Sequence, residues 1–203
     1  MKKFISLLLC GVLSAGILAG CGKTDNQPTT VPTTGTVTEA PAEETKGTAS
    51  YESAEALLKA VHAAMKEEFP AAGGDEAHGA EDVGSFDISA YGDSFQAQIL
   101  VDDSLVEQVK PEAATLLHMM NTNTFCAAAM QLTDAANGES FAESYKTLVQ
   151  SHHWMCGFPD TVVVLSLGDY ILTAYGYDDL IQDFKTAAQS LGADVLVEAP
   201  AEA

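Results

Sequence analysis

The chain of 203 residues contains 29 acidic and 9 basic residues and has a formal net charge of −20 at pH 7. All the basic residues are lysines, and there is no arginine. Lysine and arginine neutralise phosphates, so this composition excludes nucleic acid as a partner and disfavours a stripe that grips anionic lipid headgroups. A simpler role for most of the acidic charge is to keep the folded domain soluble.

The N-terminal residues have the pattern of an export signal. Lys2 and Lys3 provide a positive start, and an uncharged apolar run follows from Phe4 to Leu18. This run is shorter than the roughly 20 apolar residues that a membrane-spanning helix needs. The pattern therefore predicts a signal peptide over residues 1–20 that is removed from the mature protein.

A cysteine preceded by two small residues follows this run. Leu18, Ala19, Gly20 and Cys21 resemble the lipobox of bacterial lipoproteins. The resemblance implies that the thiol of Cys21 is joined to diacylglycerol and that cleavage makes Cys21 the new N-terminus. It also implies that the protein is anchored at the extracytoplasmic face of the cell membrane, where two or more acyl chains give stable attachment. The alternative is an ordinary signal peptide with an incidental cysteine.

The composition changes after the cysteine. Residues 21–50 are rich in Thr, Pro, Gly, Ala and Glu and contain no aromatic residue. Such a segment cannot bury enough apolar surface to offset its conformational entropy, so it predicts a disordered tether. A flexible coil of this length would span roughly 30 Å. We therefore expect the folded domain to stand off the membrane without leaving its neighbourhood.

Residues 51–197 are long enough for one domain with a single good core, and their periodicity predicts its elements. A helix begins at Ser53 and ends before Pro70. Residues 96–101 fit either an edge strand or the lead into a helix. The following elements are a helix, a strand, a second helix, a hairpin and a closing helix, predicted over Ser104–Met119, Thr124–Thr133, Ser140–His153, 161–176 and Asp178–Leu191.

The hairpin carries the clearest signal. Gly168 and Asp169 separate two runs rich in β-branched and aromatic residues, and this dipeptide tolerates the positive backbone angles of a two-residue turn. The consecutive apolar residues 162–164 predict a strand covered on both faces. Residues 198–203 are expected to fray. The predicted fold class is α+β, with a small, mainly antiparallel sheet, a C-terminal hairpin and helices packed on one face.

This order of elements resembles a family of small uncharacterised lipoproteins from Gram-positive gut bacteria. The resemblance is carried by residues 123–185, and GDYILTAYG at residues 168–176 is its most telling part. Members of that family have no assigned activity. The resemblance therefore implies location and fold, and it brings no catalytic residue with it.

Two of the four cysteines, Cys126 and Cys156, remain with free thiols if Cys10 is removed with the signal peptide and Cys21 is lipidated. In an exported domain they can form a disulfide that closes a loop of about 30 residues and contributes about 3 kcal/mol in the chain-entropy model. The alternative is two separate buried thiols.

Side chains able to bind metal crowd together in HHWMCGF, residues 152–158. His152, His153 and Cys156 offer three donors to a soft or borderline metal. Adjacent histidines on a helix point about 100° apart, however, so we favour a helix end at which Trp154 packs inward. A second candidate is an acidic loop suited to calcium or simply to solvent, which contains Asp75, Glu76, His78, Glu81 and Asp82.

These observations predict a membrane-anchored lipoprotein whose domain is a binding or accessory module. Its expected partner is another envelope protein or an extracellular ligand. No catalytic residue, metal site or cofactor is assigned. The alternative is an envelope enzyme, such as a metal-assisted hydrolase that uses His152, His153 and Cys156.

Overall fold

The computed structural model describes residues 50–74, 82–91 and 98–202. The signal peptide, the lipobox with Cys21 and the tether, apart from residue 50, lie outside the described residues. So do residues 75–81, which contain all of the acidic loop except Asp82. None of the described helices is long and apolar enough to cross a membrane.

The domain is built on a seven-stranded sheet in which every strand pairing is antiparallel. The strands run in the order β1-β3-β4-β6-β5-β7, and β2 pairs with β3 beside β1. Their bounds are β1 Ala71–Ala72, β2 Gly84–Asp87, β3 Val109–His118, β4 Phe125–Leu132, β5 Thr161–Leu167, β6 Tyr170–Gly176 and β7 Asp194–Pro200. The predicted α+β class and mainly antiparallel sheet are confirmed.

Three long helices and two short ones with defined bounds accompany the sheet in the described chain. They are α1 Ala54–Ala64, α2 Ile88–Tyr91, α3 Asp103–Val106, α4 Gly138–Ser151 and α5 Asp178–Ser190, and a 3₁₀ turn at Ala135–Asn137 precedes α4. Ser53 is the N-cap of α1, and its hydroxyl accepts a hydrogen bond from the backbone N–H of Ala56 at 3.0 Å. This cap confirms the predicted start of the first helix.

Helices cover both faces of the sheet, so the prediction of helices on one face is wrong in that respect. Successive residues of β4 alternate between two separate cores, as a pleated strand requires. One core receives α1 and α5, and the other receives α4 with Trp154. The run Val162–Val164 is buried throughout and contributes to both cores, which confirms the prediction that this strand is covered on both faces.

The helix predicted over Ser104–Met119 is wrong for most of its length. Only Asp103–Val106 is helical, and Val109–His118 forms strand β3, which lies inside the edge made by β1 and β2. Helix-favouring residues and the spacing of apolar side chains suggested the helix. Residues 113–117 are, however, buried on both faces of the sheet. In such a place strand pairing overrides the helix propensity of the individual residues. Pro111 lies in the irregular stretch between Val109 and Ala113, where a residue without an N–H is tolerated.

Two further expectations need correction. Residues 198–200, expected to fray, belong to β7, and Glu198 and Pro200 pair with Val163 and Thr161. Of the two alternatives for residues 96–101, the strand is wrong for the described part, because Gln98 and Ile99 are helical. The other predicted elements are confirmed: the strand at 124–133, the helices at 140–153 and 178–191, and the hairpin.

Candidate functional site

Two loops and the start of a helix meet at one end of the sheet. The β3–β4 loop (residues 119–124) precedes β4, the α4–β5 loop (152–160) precedes β5, and Tyr177 directly follows β6. The first residues of β4 and β5 both pair with Gly176, the last residue of β6. The backbone N–H of Tyr177 donates to the carbonyl oxygen of Thr124 at 2.9 Å. The strand register therefore brings these three segments side by side.

Hydrogen bonds join the two loops directly. The side-chain amide of Asn123 donates to the carbonyl oxygens of Cys156 at 2.7 Å and Gly157 at 3.3 Å. Gly157 has a φ of +83°, and a Cβ added there would lie 2.8 Å from the side-chain nitrogen of Asn121. Glycine thus serves two purposes at this point, because it adopts the left-handed conformation and allows the loops to approach closely.

Large apolar side chains project into solvent from these segments. In the described part of the chain, every large hydrophobic residue that is exposed lies here: Met119 (57%), Met120 (77%), Met155 (80%), Phe158 (57%) and Tyr177 (39%). We call these five side chains the apolar loop patch. Single exposed apolar residues are ordinary, but their collection at one end of a fold is typical of an interaction surface.

Carboxylates stand beside the aromatic part of this patch. A shallow depression is lined by Gly157, Phe158, Asp160, Tyr177, Asp178 and Asp179. All three aspartates are exposed. No lysine or histidine nitrogen lies within ion-pair distance of any of them in the described structure. The depression therefore combines two exposed aromatic rings with three carboxylates that have no cationic partner there.

Local hydrogen bonds orient two of these carboxylates. Asp160 accepts from the backbone N–H of Asp178 at 3.2 Å, and Asp178 accepts from the hydroxyl of Thr161 at 2.5 Å. The N-cap position of α5 belongs to Tyr177, so neither Asp178 nor Asp179 is the N-cap. Both aspartates lie in the first turn, where negative charge stabilises the helix.

The histidine-rich segment forms a helix end. His152 is the C-cap of α4, and its ring lies 4.5 Å from that of Trp154. Trp154 is 7% exposed and packs against Tyr175 at 5.2 Å between ring centroids. No three His, Cys, Asp or Glu residues of the described chain are grouped as a metal site, and His152, His153 and Cys156 are therefore not brought together as one.

Cys126 and Cys156 are both free, so the disulfide considered from the sequence is not formed in this structure. Cys156 is exposed in the α4–β5 loop, whereas Cys126 is buried on β4. Burial raises the pKa of the Cys126 thiol to about 12. The thiol of Cys126 and the hydroxyl of Tyr175 both donate to the carbonyl oxygen of Gln98, at 3.5 and 2.8 Å. Burial also raises the pKa of Tyr175, so the group stays neutral.

Two further acidic residues have structural roles. Asp102 caps α3 by accepting from the backbone N–H of Leu105 at 3.1 Å, a common role for an acid at a helix start. Asp82, the described member of the acidic loop, has its carboxylate 2.5 Å from Nδ1 of His62. This pair connects α1 with the residue that leads towards β2.

No protein-family model matches this chain, and no curated protein or solved structure is significantly similar to it. The geometry of the site therefore carries the functional argument.

The apolar loop patch was not predicted from the sequence. The available signal was apolar residues inside polar loops, as in Met119-Met120-Asn121 and Phe158-Pro159-Asp160. The sequence instead predicted a helix that ends at Met119, with Met120 on its apolar stripe, and that helix does not form. The wrong element type therefore hid two of the five side chains of the patch.

Proposed function

We propose that this protein is a membrane-anchored extracytoplasmic lipoprotein whose folded domain is a binding module. The anchor is the lipidated Cys21 implied by the resemblance of residues 18–21 to a lipobox. The binding surface is the apolar loop patch at the end of the sheet. The domain acts by presenting this surface to another protein of the cell envelope.

The observation that carries the proposal is the distribution of exposed apolar side chains. The described domain buries its large hydrophobes in two cores and exposes five of them, all at one end of the sheet. Burying one large apolar side chain fully contributes about 1.5–3 kcal/mol of free energy relative to leaving it in water. Methionine and aromatic residues are also the types enriched in protein interfaces. A partner that covers the patch recovers this free energy.

The alternative of a metal-assisted hydrolase requires His152, His153 and Cys156 to converge on one ion. Their arrangement at the end of α4 offers no support for it, because the ring of His152 packs on Trp154. Binding through the exposed side chains of the patch needs no such convergence. The geometry therefore favours the binding module.

A photocrosslinking experiment tests the binding function. A photoreactive phenylalanine analogue replaces Phe158 in the full-length protein expressed on cells. The matched control places the same analogue at Glu139, which is exposed at the opposite end of the sheet. We expect an adduct of discrete mass from position 158 and not from position 139. Equal adducts at both positions, or none at either, would contradict the proposal.

A second experiment tests the anchor. Cys21→Ala should abolish incorporation of labelled fatty acid and release or stall the precursor. Cys156→Ala is the matched control, since it removes an exposed thiol outside the lipobox and should leave labelling intact. Labelling that persists in the Cys21 variant would show that the anchor is wrong.

A further inference from the structure

We propose that the apolar loop patch docks a segment of another protein that carries lysine or arginine side chains beside apolar ones. This inference rests on the binding function proposed above and deepens it by assigning a chemistry to the partner. The apolar loop patch then has two parts with different roles. The depression between Phe158 and Tyr177 receives the cationic side chain, and the methionines receive its apolar neighbours.

The first part has the composition that recognises an organic cation. Phe158 and Tyr177 are exposed walls of the same depression that holds Asp160, Asp178 and Asp179. A cation over an aromatic face is attracted by the ring quadrupole, and a neighbouring carboxylate adds a charge-assisted hydrogen bond. A lysine or arginine side chain satisfies both, because its apolar stem can lie along the rings while its head reaches the carboxylates.

The carboxylates retain capacity for such a ligand. Asp160 and Asp178 each accept one of the hydrogen bonds described above through one oxygen. An ionised carboxylate has about four acceptor positions, so neither group is saturated. The existing bonds restrain two carboxylates that line the depression, which reduces the side-chain entropy lost on binding.

The second part suits apolar side chains. Met119, Met120 and Met155 expose most of their surface on the two loops that Asn123 joins. Methionine is unbranched and polarizable, so it adapts to partners of irregular shape. Because the hydrogen bonds of Asn123 connect this part to the segment bearing Phe158, one extended peptide can contact both parts.

The negative charge of the chain favours a basic protein segment at the patch over a second copy of the chain or an anionic bilayer. The chain carries −20 overall, and residues 119–124, 152–160 and 177–179 contain neither lysine nor arginine. A second copy of the chain would bring the same excess of acidic charge to the contact, and an anionic bilayer would likewise be repelled. A partner with basic side chains gains electrostatic attraction as it approaches.

The test uses the purified full-length lipidated protein in detergent and three fluorescein-labelled peptides. The first peptide alternates lysine with leucine and phenylalanine. The second replaces its lysines with glutamate, and the third replaces its apolar residues with serine. Fluorescence anisotropy measures the affinity of each. We expect binding of the first peptide, weakened by rising salt, and at least about tenfold weaker binding of the other two.

Two variants with equal charge change locate the site. D160N/D178N/D179N keeps the oxygen acceptors but removes three negative charges from the depression, and it should weaken binding of the first peptide about tenfold. E107Q/E112Q/E139Q removes three exposed carboxylates at the other end of the sheet and should leave affinity within about twofold. Circular dichroism checks that both variants remain folded.

Each other outcome overturns the inference. Failure of the first peptide to bind, or equal binding of the serine peptide, would show that apolar and basic side chains are not recognised together. Equal losses in the two variants would show unspecific attraction to an acidic protein. If the crosslink from position 158 still forms in that case, the binding function stands and only the partner chemistry is wrong. If the crosslink is also absent, both proposals fail.

Discussion

The side-chain amide of Asn123 donates a hydrogen bond to the carbonyl oxygen of Cys156 at 2.7 Å, and so joins the two loops that carry the methionines of the patch. The residues are 33 positions apart in the sequence. The same amide also reaches the carbonyl oxygen of Gly157. Strand register brings the two loops together, and this one side chain links them directly.

Asn123→Asp should loosen this surface. The substitution keeps the size of the side chain but replaces the amide donor with an oxygen that faces two carbonyl oxygens. We expect a loss of about 1 kcal/mol in the free energy of unfolding and a change in the fluorescence of the nearby Trp154. Asn121→Asp is the control, because it adds the same charge but keeps the oxygen that accepts from the N–H of Asn123. An equal loss of stability in both variants would mean that the added negative charge, and not the missing amide donor, is the cause.

The two cysteines should differ sharply in reactivity. Cys156 is exposed, whereas burial raises the pKa of Cys126 to about 12 and leaves almost no thiolate there near neutral pH. Iodoacetamide should therefore modify Cys156 in the native protein and both residues only after denaturation. Mass spectrometry of peptides locates the label. Similar native rates at both residues, or a peptide pair linked by a disulfide, would contradict the structure.

Gly168→Ala should destabilise the hairpin. Gly168 has a φ of +63°, and Asp169 is not among the residues with positive φ. This combination is typical of the two-residue hairpin turn that needs glycine at its first central position. A Cβ meets no atom there, so the expected cost of about 1–2 kcal/mol comes from the backbone conformation alone.

Gly138→Ala is the matched substitution, and we expect it to change the free energy of unfolding in the opposite direction. Gly138 is helical, with a φ of −53°, and an added Cβ would make ordinary contacts, at 3.5 Å to Leu196 and 3.9 Å to Leu132. We expect no loss, or a gain of about 0.5–1 kcal/mol. Thermal unfolding of both variants measures the difference. A loss at Gly138 as large as that at Gly168 would mean that backbone conformation is not the cause.

Glu198 should contribute a pH-dependent part of the stability. The Lys185 ammonium, at 2.7 Å, and the Gln182 amide, at 2.8 Å, hold the pKa of this carboxyl below its ordinary value of 4.5. A carboxyl whose pKa is lower in the folded state stabilises the protein above its unfolded pKa. That contribution is lost as the pH falls through the folded pKa.

Glu198→Gln should therefore lower the free energy of unfolding near neutral pH by about 0.5 kcal/mol, a size typical of partly exposed pairs. The difference from wild type should close below the folded pKa. Glu68→Gln removes an exposed carboxylate that has no ion pair in the described structure, and it should show no such gap at neutral pH. Urea unfolding across this pH range gives the comparison, and a gap that widens in acid would refute the assignment.

The elements that could be predicted are those whose signals are local. The hydroxyl of Ser53 and the apolar stripe of Leu57, Leu58 and Val61 determine the first helix, and all three apolar residues are buried. The pair Gly168-Asp169 determines the hairpin in the same way. A cap, a stripe and a turn each depend on residues within a few positions of one another, so the sequence alone suffices.

The interior strand β3 could not be predicted, because its type depends on neighbours far along the chain. Leu116 pairs with Ala127 of β4, and Thr115 with Gly84 of β2. Burial on both faces removes the alternation that marks a half-buried strand, and the remaining Ala, Leu and Glu residues favour a helix. The late strand β7 was missed similarly, since it pairs with β5, whose residues lie far back in the chain.

The sequence by itself determined the α+β class, the capped first helix, the hairpin and the acidic, arginine-free character of the chain. It also carries the lipobox pattern on which the proposed anchor depends. Only the tertiary structure decided which loops meet at one end of the sheet, and with them the apolar loop patch. The physical reason is that strand register acts between residues far apart in the chain, and it is register that places Tyr177 beside the loops bearing Met119 and Phe158.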